Sequence, residues 1–173
     1  MNMLKIYRSS VFGLILGAIS GVAAAQTAKT PPVSTVAKVD LKRYVGTWYE
    51  IGRYPNGFQK QCVGNVTANY AVKPSGKLEV KNECLLKSGK TETAIGEAKI
   101  ADKTTNAKLK VRFAPGALSF LPFVWGDYWV IDLGKDYEYA VVGDNSRKYL
   151  WILSRKPQMD EALYNELAAR AKQ

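Results

Sequence analysis

The chain has 173 residues, 25 of them Lys or Arg against 15 Asp or Glu, for a formal net charge of +10. It has no histidine and two cysteines, which removes the usual general base and the commonest metal ligand and leaves no convincing metal site. The length predicts one domain with a real core, and the composition predicts no cofactor.

The first 25 residues read as a secretory signal peptide. Lys5 and Arg8 form a positive start, Val11 to Val22 an apolar stretch, and Ala23, Ala24 and Ala25 the small residues of a cleavage site. Such a segment is too short and wrongly flanked for a membrane-spanning helix. No cysteine stands at the cleavage region, so an acyl anchor has no attachment point there. Residues 26–39, with Pro31 and Pro32 and little apolar periodicity, read as a flexible leader to a domain at 40–173. Removing the first 25 residues takes two bases and no acid, so the exported chain stays strongly basic. The basic residues are dispersed along alternating strands, the pattern of a solvated surface. Export to the periplasm favours contact with lipid over nucleic acid, and no nucleic-acid partner is expected.

From residue 46 onward the chain alternates in short runs broken by turn residues. TWYEIGRY comes first, then CVGNVTANYAV, a turn at Lys73–Gly76, and KLEVKNECLL. TETAIGEAKIA and AKLKVRFA come next, across a turn at Asp102–Asn106. The longer loop PGALSFLPFVWG leads to DYWVIDL, YEYAVVG and KYLWILSR. Eight evenly spaced strands with one long connection predict an antiparallel up-and-down β-barrel or a sandwich. The period then changes: Met159, Leu163 and Leu167 recur every four residues, with Tyr164 and Ala168 beside them. That predicts one amphipathic helix after Pro157, packed outside the sheet, and strands followed by one helix favour the barrel.

Strand parity suggests the inner face. Leu109, Val111 and Phe113 alternate with Lys108, Lys110 and Arg112. Cys62 and Cys84 fall on facing positions of the second and third strands, and two cysteines in an exported chain make a disulfide the expectation. Gly52, Gly64, Ala68 and Gly96 on the expected inner face leave room for one small ligand. Glu50 shares a face with Trp48, and an inward carboxylate is tolerable where a hollow barrel holds water to solvate it.

Three stretches resemble the lipocalin family, in particular its bacterial outer-membrane and apolipoprotein D group. They are Gly46-Thr47-Trp48-Tyr49-Glu50-Ile51, Asp136 to Val142, and Leu150-Trp151-Ile152-Leu153-Ser154-Arg155, in the family's order and covering residues 40 to about 170. The resemblance implies a structural role for Gly46, Trp48 and Arg155, with Trp48 plugging the closed end and Arg155 packed across it. It also places the turns around 56–61, 87–90, 114–126 and 143–148 at the open end. Lys60, Lys87, Lys90 and Arg147 would then ring the mouth, suited to a phosphate or carboxylate head group.

The function expected on this basis is non-enzymatic binding, storage or transport of a hydrophobic ligand, a fatty acid or lysophospholipid, with a role in membrane lipid maintenance. Tyr54, Phe58, Tyr70, Phe113, Trp129, Tyr139, Trp151 and Glu50 are the candidate lining residues, Trp129 foremost by its mid-strand position and its likeness to a pocket aromatic of the apolipoprotein D type. A bilin, quinone or carotenoid is the alternative cargo. An isomerase or de-epoxidase using Glu50 is the alternative class, weakened by the absence of a partner group. Leu118, Phe120, Leu121, Phe123 and Trp125 form a nearly uncharged run, read either as a lid or as a surface for peripheral membrane contact or a homodimer.

Overall fold

A computed structural model describes residues 31–114, 116–118 and 120–172. The predicted signal peptide and residues 26–30 of the predicted leader lie outside them. The strands are β1 Gly46–Arg53, β2 Cys62–Val72, β3 Leu78–Leu86, β4 Thr91–Ile100, β5 Lys108–Arg112, β6 Gly126–Leu133, β7 Tyr139–Gly143 and β8 Leu150–Ser154. Each pairs antiparallel with the next, and β8 returns to β1, closing the barrel. This is the predicted eight-stranded up-and-down barrel, with the helix outside it. Among the described residues no helix is long and apolar enough to cross a membrane.

One end is packed solid. A short helix that the sequence pattern did not announce, α1 (Leu41–Tyr44), is capped by Asp40, whose carboxylate accepts the Lys42 N–H at 2.9 Å. It leads through Gly46, at φ +94°, into β1. That left-handed conformation suits glycine, and a Cβ there would also lie 3.5 Å from the Arg155 guanidinium. Trp48 is fully buried and its indole N–H donates to the Tyr44 carbonyl at 2.8 Å. Arg155 lies 3.7 Å over the indole face and donates to the carbonyls of Arg43, Tyr44, Val45 and Thr47. Above this plug, Tyr44, Tyr70 and Tyr128 are joined hydroxyl to hydroxyl at 2.8 Å and packed with Leu78, Val80, Leu109, Val130, Val142 and Leu153.

The end of the predicted leader belongs to the fold. The Val36 N–H donates to the Val130 carbonyl at 3.0 Å and the Val39 N–H to that of Thr105 at 2.7 Å, and Val39 is buried in the core. Two valines three residues apart, each with its backbone hydrogen-bonded, hold a stretch whose prolines suggest freedom.

Helix α2 (Glu161–Arg170) starts at Asp160, which caps the Leu163 N–H. Its apolar stripe of Leu163, Tyr164, Leu167 and Ala168, with Met159 ahead of it, packs on Ile51, Ile131, Val141, Leu150 and Ile152 of the outer wall, as the four-residue spacing predicts. Arg170 binds Asp132 at 2.8 Å and donates to the Tyr139 hydroxyl at 3.0 Å. Tyr139 is therefore an outer strut to the helix, which corrects its assignment to the ligand cavity.

The strand register carries a second correction. Glu50 pairs with Leu153 on β8, but Gly52 pairs with Ile152 and Arg53 with Trp151, so one extra residue bulges from β1. A bulge reverses the inside–outside parity of the residues beyond it. Gly52 consequently faces outward, where a Cβ would meet the Tyr164 ring at 2.9 Å, and it is not one of the small residues that hollow the barrel.

Candidate ligand-binding site

Above the tyrosine floor the interior changes character. On β4, Ala98, Gly96 and Ala94 succeed one another on the inner face, opposite Leu78, Val80 and Asn82 of β3. Ala98 and Gly96 are buried, whereas Ala94 is exposed although it faces inward. The barrel is thus open at that level. Phe113 lies over Gly96, where any Cβ would come within 2.7 Å of the ring, and it remains 44% exposed toward the mouth. The Asn82 side-chain oxygen is buried without a hydrogen-bond partner. Cys62 and Cys84, with Cα atoms 5.5 Å apart, form the predicted disulfide and tie the mouth ends of β2 and β3 together.

The opposite wall is polar and aromatic. Glu50 points inward with its side chain only 7% exposed, ion-paired to Arg53 and accepting from the Gln59 amide at 2.8 Å. The Gln59 oxygen in turn accepts from the Trp151 indole N–H at 3.0 Å and from Asn56 at 2.8 Å. Gln59 ends a single 3₁₀ turn, Gly57–Gln59, that bends in across the mouth. Phe58 in the same turn packs against Tyr149 and Trp151, with ring centroids 5.5 and 6.2 Å away. The inward Glu50 agrees with the sequence, but protein groups satisfy it where water is expected.

The predicted lining residues therefore divide. Glu50, Phe58, Phe113 and Trp151 converge on the open half. Tyr70 belongs to the solid floor. Trp129 does not line the cavity, because Tyr128 and Val130 on either side are in the inner core, and its ring instead carries the Lys108 ammonium at 4.2 Å on the outer wall. Tyr54 is also outside: the bulge turns it onto an outer groove shared with Ile131, Leu150 and Ala171. Arg53 and Gln59 are not among the residues the sequence singles out. The Ile51-Gly52 step, an apolar residue beside a glycine mid-strand, is the one available sign of a bulge that would bring Arg53 inside.

In the long loop, Trp125 is laid against the outer wall, with Lys99 at 4.0 Å and Arg112 at 5.0 Å from its ring. Phe120 and Phe123 are 77% and 80% exposed, Leu118 is exposed and Leu121 half-buried. Lys60, Lys87, Lys90 and Arg147 sit exposed in open-end turns.

A closed eight-stranded barrel, solid at one end and open over a small-residue wall at the other, defines the class of barrels that enclose one small ligand. The family model for a lipocalin-like domain matches residues 39–173, and the chain belongs to that family, whose members hold hydrophobic ligands. It is 42% identical over 141 residues to temperature-induced lipocalin-1 of Arabidopsis thaliana, covering 80% of this chain and 75% of that one. It is 39% identical over 145 residues to outer membrane lipoprotein Blc of Escherichia coli (strain K12), covering 82% and 77%. Insecticyanin from the tobacco hornworm Manduca sexta shares the fold, with a TM-score of 0.62 and 23% identity over 83% of this chain and 77% of that one.

Proposed function

We propose that the chain binds a fatty acid or lysophospholipid in the open half of the barrel and carries it without chemical change. The observation that carries this reading is Ala94, an inward residue that is nonetheless exposed, above a floor with no such opening. An acyl chain lying along the Ala94–Gly96 wall gains about 0.8 kcal/mol for each methylene buried. Catalysis by Glu50 is disfavoured because Arg53 holds one of its oxygens and Gln59 the other. Similarity to a protein named as an outer membrane lipoprotein supports a place in the cell envelope, and the predicted signal peptide supports the periplasm.

Titration with oleate and with oleoyl lysophospholipid should quench or shift the emission of Trp151, whose indole faces the mouth. Ala94→Phe should weaken both ligands about tenfold or more, since exclusion of only two methylenes forfeits that much. No spectral response in the wild-type protein, or equal affinity in Ala94→Phe, sinks the reading.

The open end also presents Phe120 and Phe123 to solvent, and Lys60, Lys87 and Lys90 are exposed in other turns at that end, which supports peripheral contact with an anionic membrane as the place where ligand is exchanged. Partitioning onto vesicles containing phosphatidylglycerol, read by co-sedimentation, is expected for the wild type and should fall at least about thirtyfold in Phe120→Ser/Phe123→Ser, given an apolar contribution of roughly 1 kcal/mol or more for each of the two rings removed. Equal partitioning would leave the loop with no membrane role.

A further inference from the structure

The exposed lysines around the mouth are a diffuse attraction for anions, but the bulge in β1 places a better-defined cation inside it. Arg53 sits opposite Trp151 on β8, two pairs nearer the mouth than Glu50, which sits opposite Leu153. Its side chain is 26% exposed, against 7% for Glu50 beneath it. One guanidinium nitrogen binds Glu50, and among the described residues the group has no other ion-pair partner. A guanidinium offers five N–H donors in a planar fork matched to carboxylate and phosphate. Most of that fork is left for something else, at the level where an acyl chain packed against the small-residue wall would end.

We infer that Arg53 is the residue that selects the ligand's head, an oxyanion in the form of a carboxylate or a phosphate, and that Glu50 is a positioning residue that holds the guanidinium and competes with the ligand for it. The inference rests on the proposed binding of an acyl chain in the barrel and adds what the chain must carry. It separates the anionic lipids from cargo of similar length that lacks an oxyanion. Partial burial makes the contact resistant to salt, unlike attraction by the exposed Lys87 and Lys90.

The test compares ligands of one chain length within each protein: oleate, oleoyl lysophosphatidate and the neutral oleyl alcohol. The wild type should favour both anions over the alcohol about tenfold, the value of one hydrogen-bonded charge pair in a partly dry site, and should keep that preference at about 0.5 M salt. In Arg53→Gln the ratio should fall to about one. In Glu50→Gln, where a competing carboxylate becomes a neutral amide, it should rise above the wild-type value. Loss of a merely structural ion pair would move both variants the same way and leave the ratios alone. A preference for only one anion identifies carboxylate or phosphate as the head that is read. The inference is overturned if Arg53→Gln keeps the preference, if Glu50→Gln lowers it, or if Lys87→Gln/Lys90→Gln abolishes it. Failure of all three ligands to bind the wild type overturns the acyl-binding reading itself, whereas equal binding of all three overturns only the role of Arg53.

Discussion

Trp48→Ala should lower the unfolding free energy by about 3–5 kcal/mol, the usual cost of truncating a fully buried large aromatic. Three losses add at one place. The indole leaves a void in the part of the barrel with no spare space, next to the Tyr44 ring 5.0 Å away. Its N–H bond to the Tyr44 carbonyl disappears. Arg155 loses the aromatic face 3.7 Å beneath it while still held by four backbone carbonyls, so the guanidinium cannot move to fill the gap. A domain of this size has roughly 5–15 kcal/mol in total, so the variant should keep its fold but unfold at markedly lower urea. Trp48→Phe should cost far less, about 1 kcal/mol for the missing hydrogen bond plus a smaller void. Urea denaturation followed by far-ultraviolet circular dichroism measures both. A Trp48→Ala loss below about 1 kcal/mol would mean that Arg155 and α1 close this end without the indole.

The plug is legible through the resemblance to the family, because its parts lie in short, ordered stretches that carry that resemblance: a glycine, a tryptophan two residues on, and an arginine after the last strand. The strands are legible without it, since turn residues separate runs with a period of two. The inner face is harder to read, because the outer wall of this barrel is not uniformly wet. In β6, Tyr128 and Val130 face in while Trp129 and Ile131 face out, under Lys108 and α2 respectively. Both faces are apolar, so alternation alone cannot choose between them, and it assigns Trp129 to the wrong one. In β7 the same ambiguity puts Tyr139 inside, when it lies outside with Val141, which packs under α2.

The β1 error is of a different kind. Counting by two from Trp48 and Glu50 puts Gly52 and Tyr54 inside, and the count fails at one bulged residue. That residue costs nothing visible in composition, yet it exchanges an aromatic for a cation at the mouth. It is stabilised by a contact remote in sequence, the Tyr164 ring of α2 resting where a Cβ at position 52 would be. The candidate site is therefore built partly by the helix behind it, and within β1 only the Ile51-Gly52 step hints at Arg53. Gly52→Ala should be felt first in the register of Arg53, a link between outer packing and the ligand's head.

The tyrosine floor should make the protein strongly sensitive to alkali. Tyr44, Tyr70 and Tyr128 are buried and bonded to one another. Burial, the largest influence, pushes Tyr70 up from the ordinary 10.0 to about 12; it also raises Tyr44, with repulsion from Tyr70 adding to it, and Tyr128, with both neighbouring phenols adding to it. Below pH 10 both folded and unfolded chains keep these protons, and the network contributes in full. Above pH 10 the unfolded chain releases them while the folded one does not, so stability falls as pH rises. Each tyrosine contributes a slope of up to about 1.4 kcal/mol per pH unit, and the three together up to about 4. The loss from Tyr70 ends near its folded value of about 12. Urea midpoints measured between pH 9 and 11 should therefore drop steeply. Tyr70→Phe should drop less steeply by up to about 1.4 kcal/mol per unit, even though it starts from a lower stability at neutral pH for want of its bond to Tyr128. The comparison of slopes cancels the ionisation of exposed lysines and tyrosines, which both proteins share. Parallel slopes would show that the floor admits hydroxide without unfolding, and that the solid half of the barrel is less closed than its packing indicates.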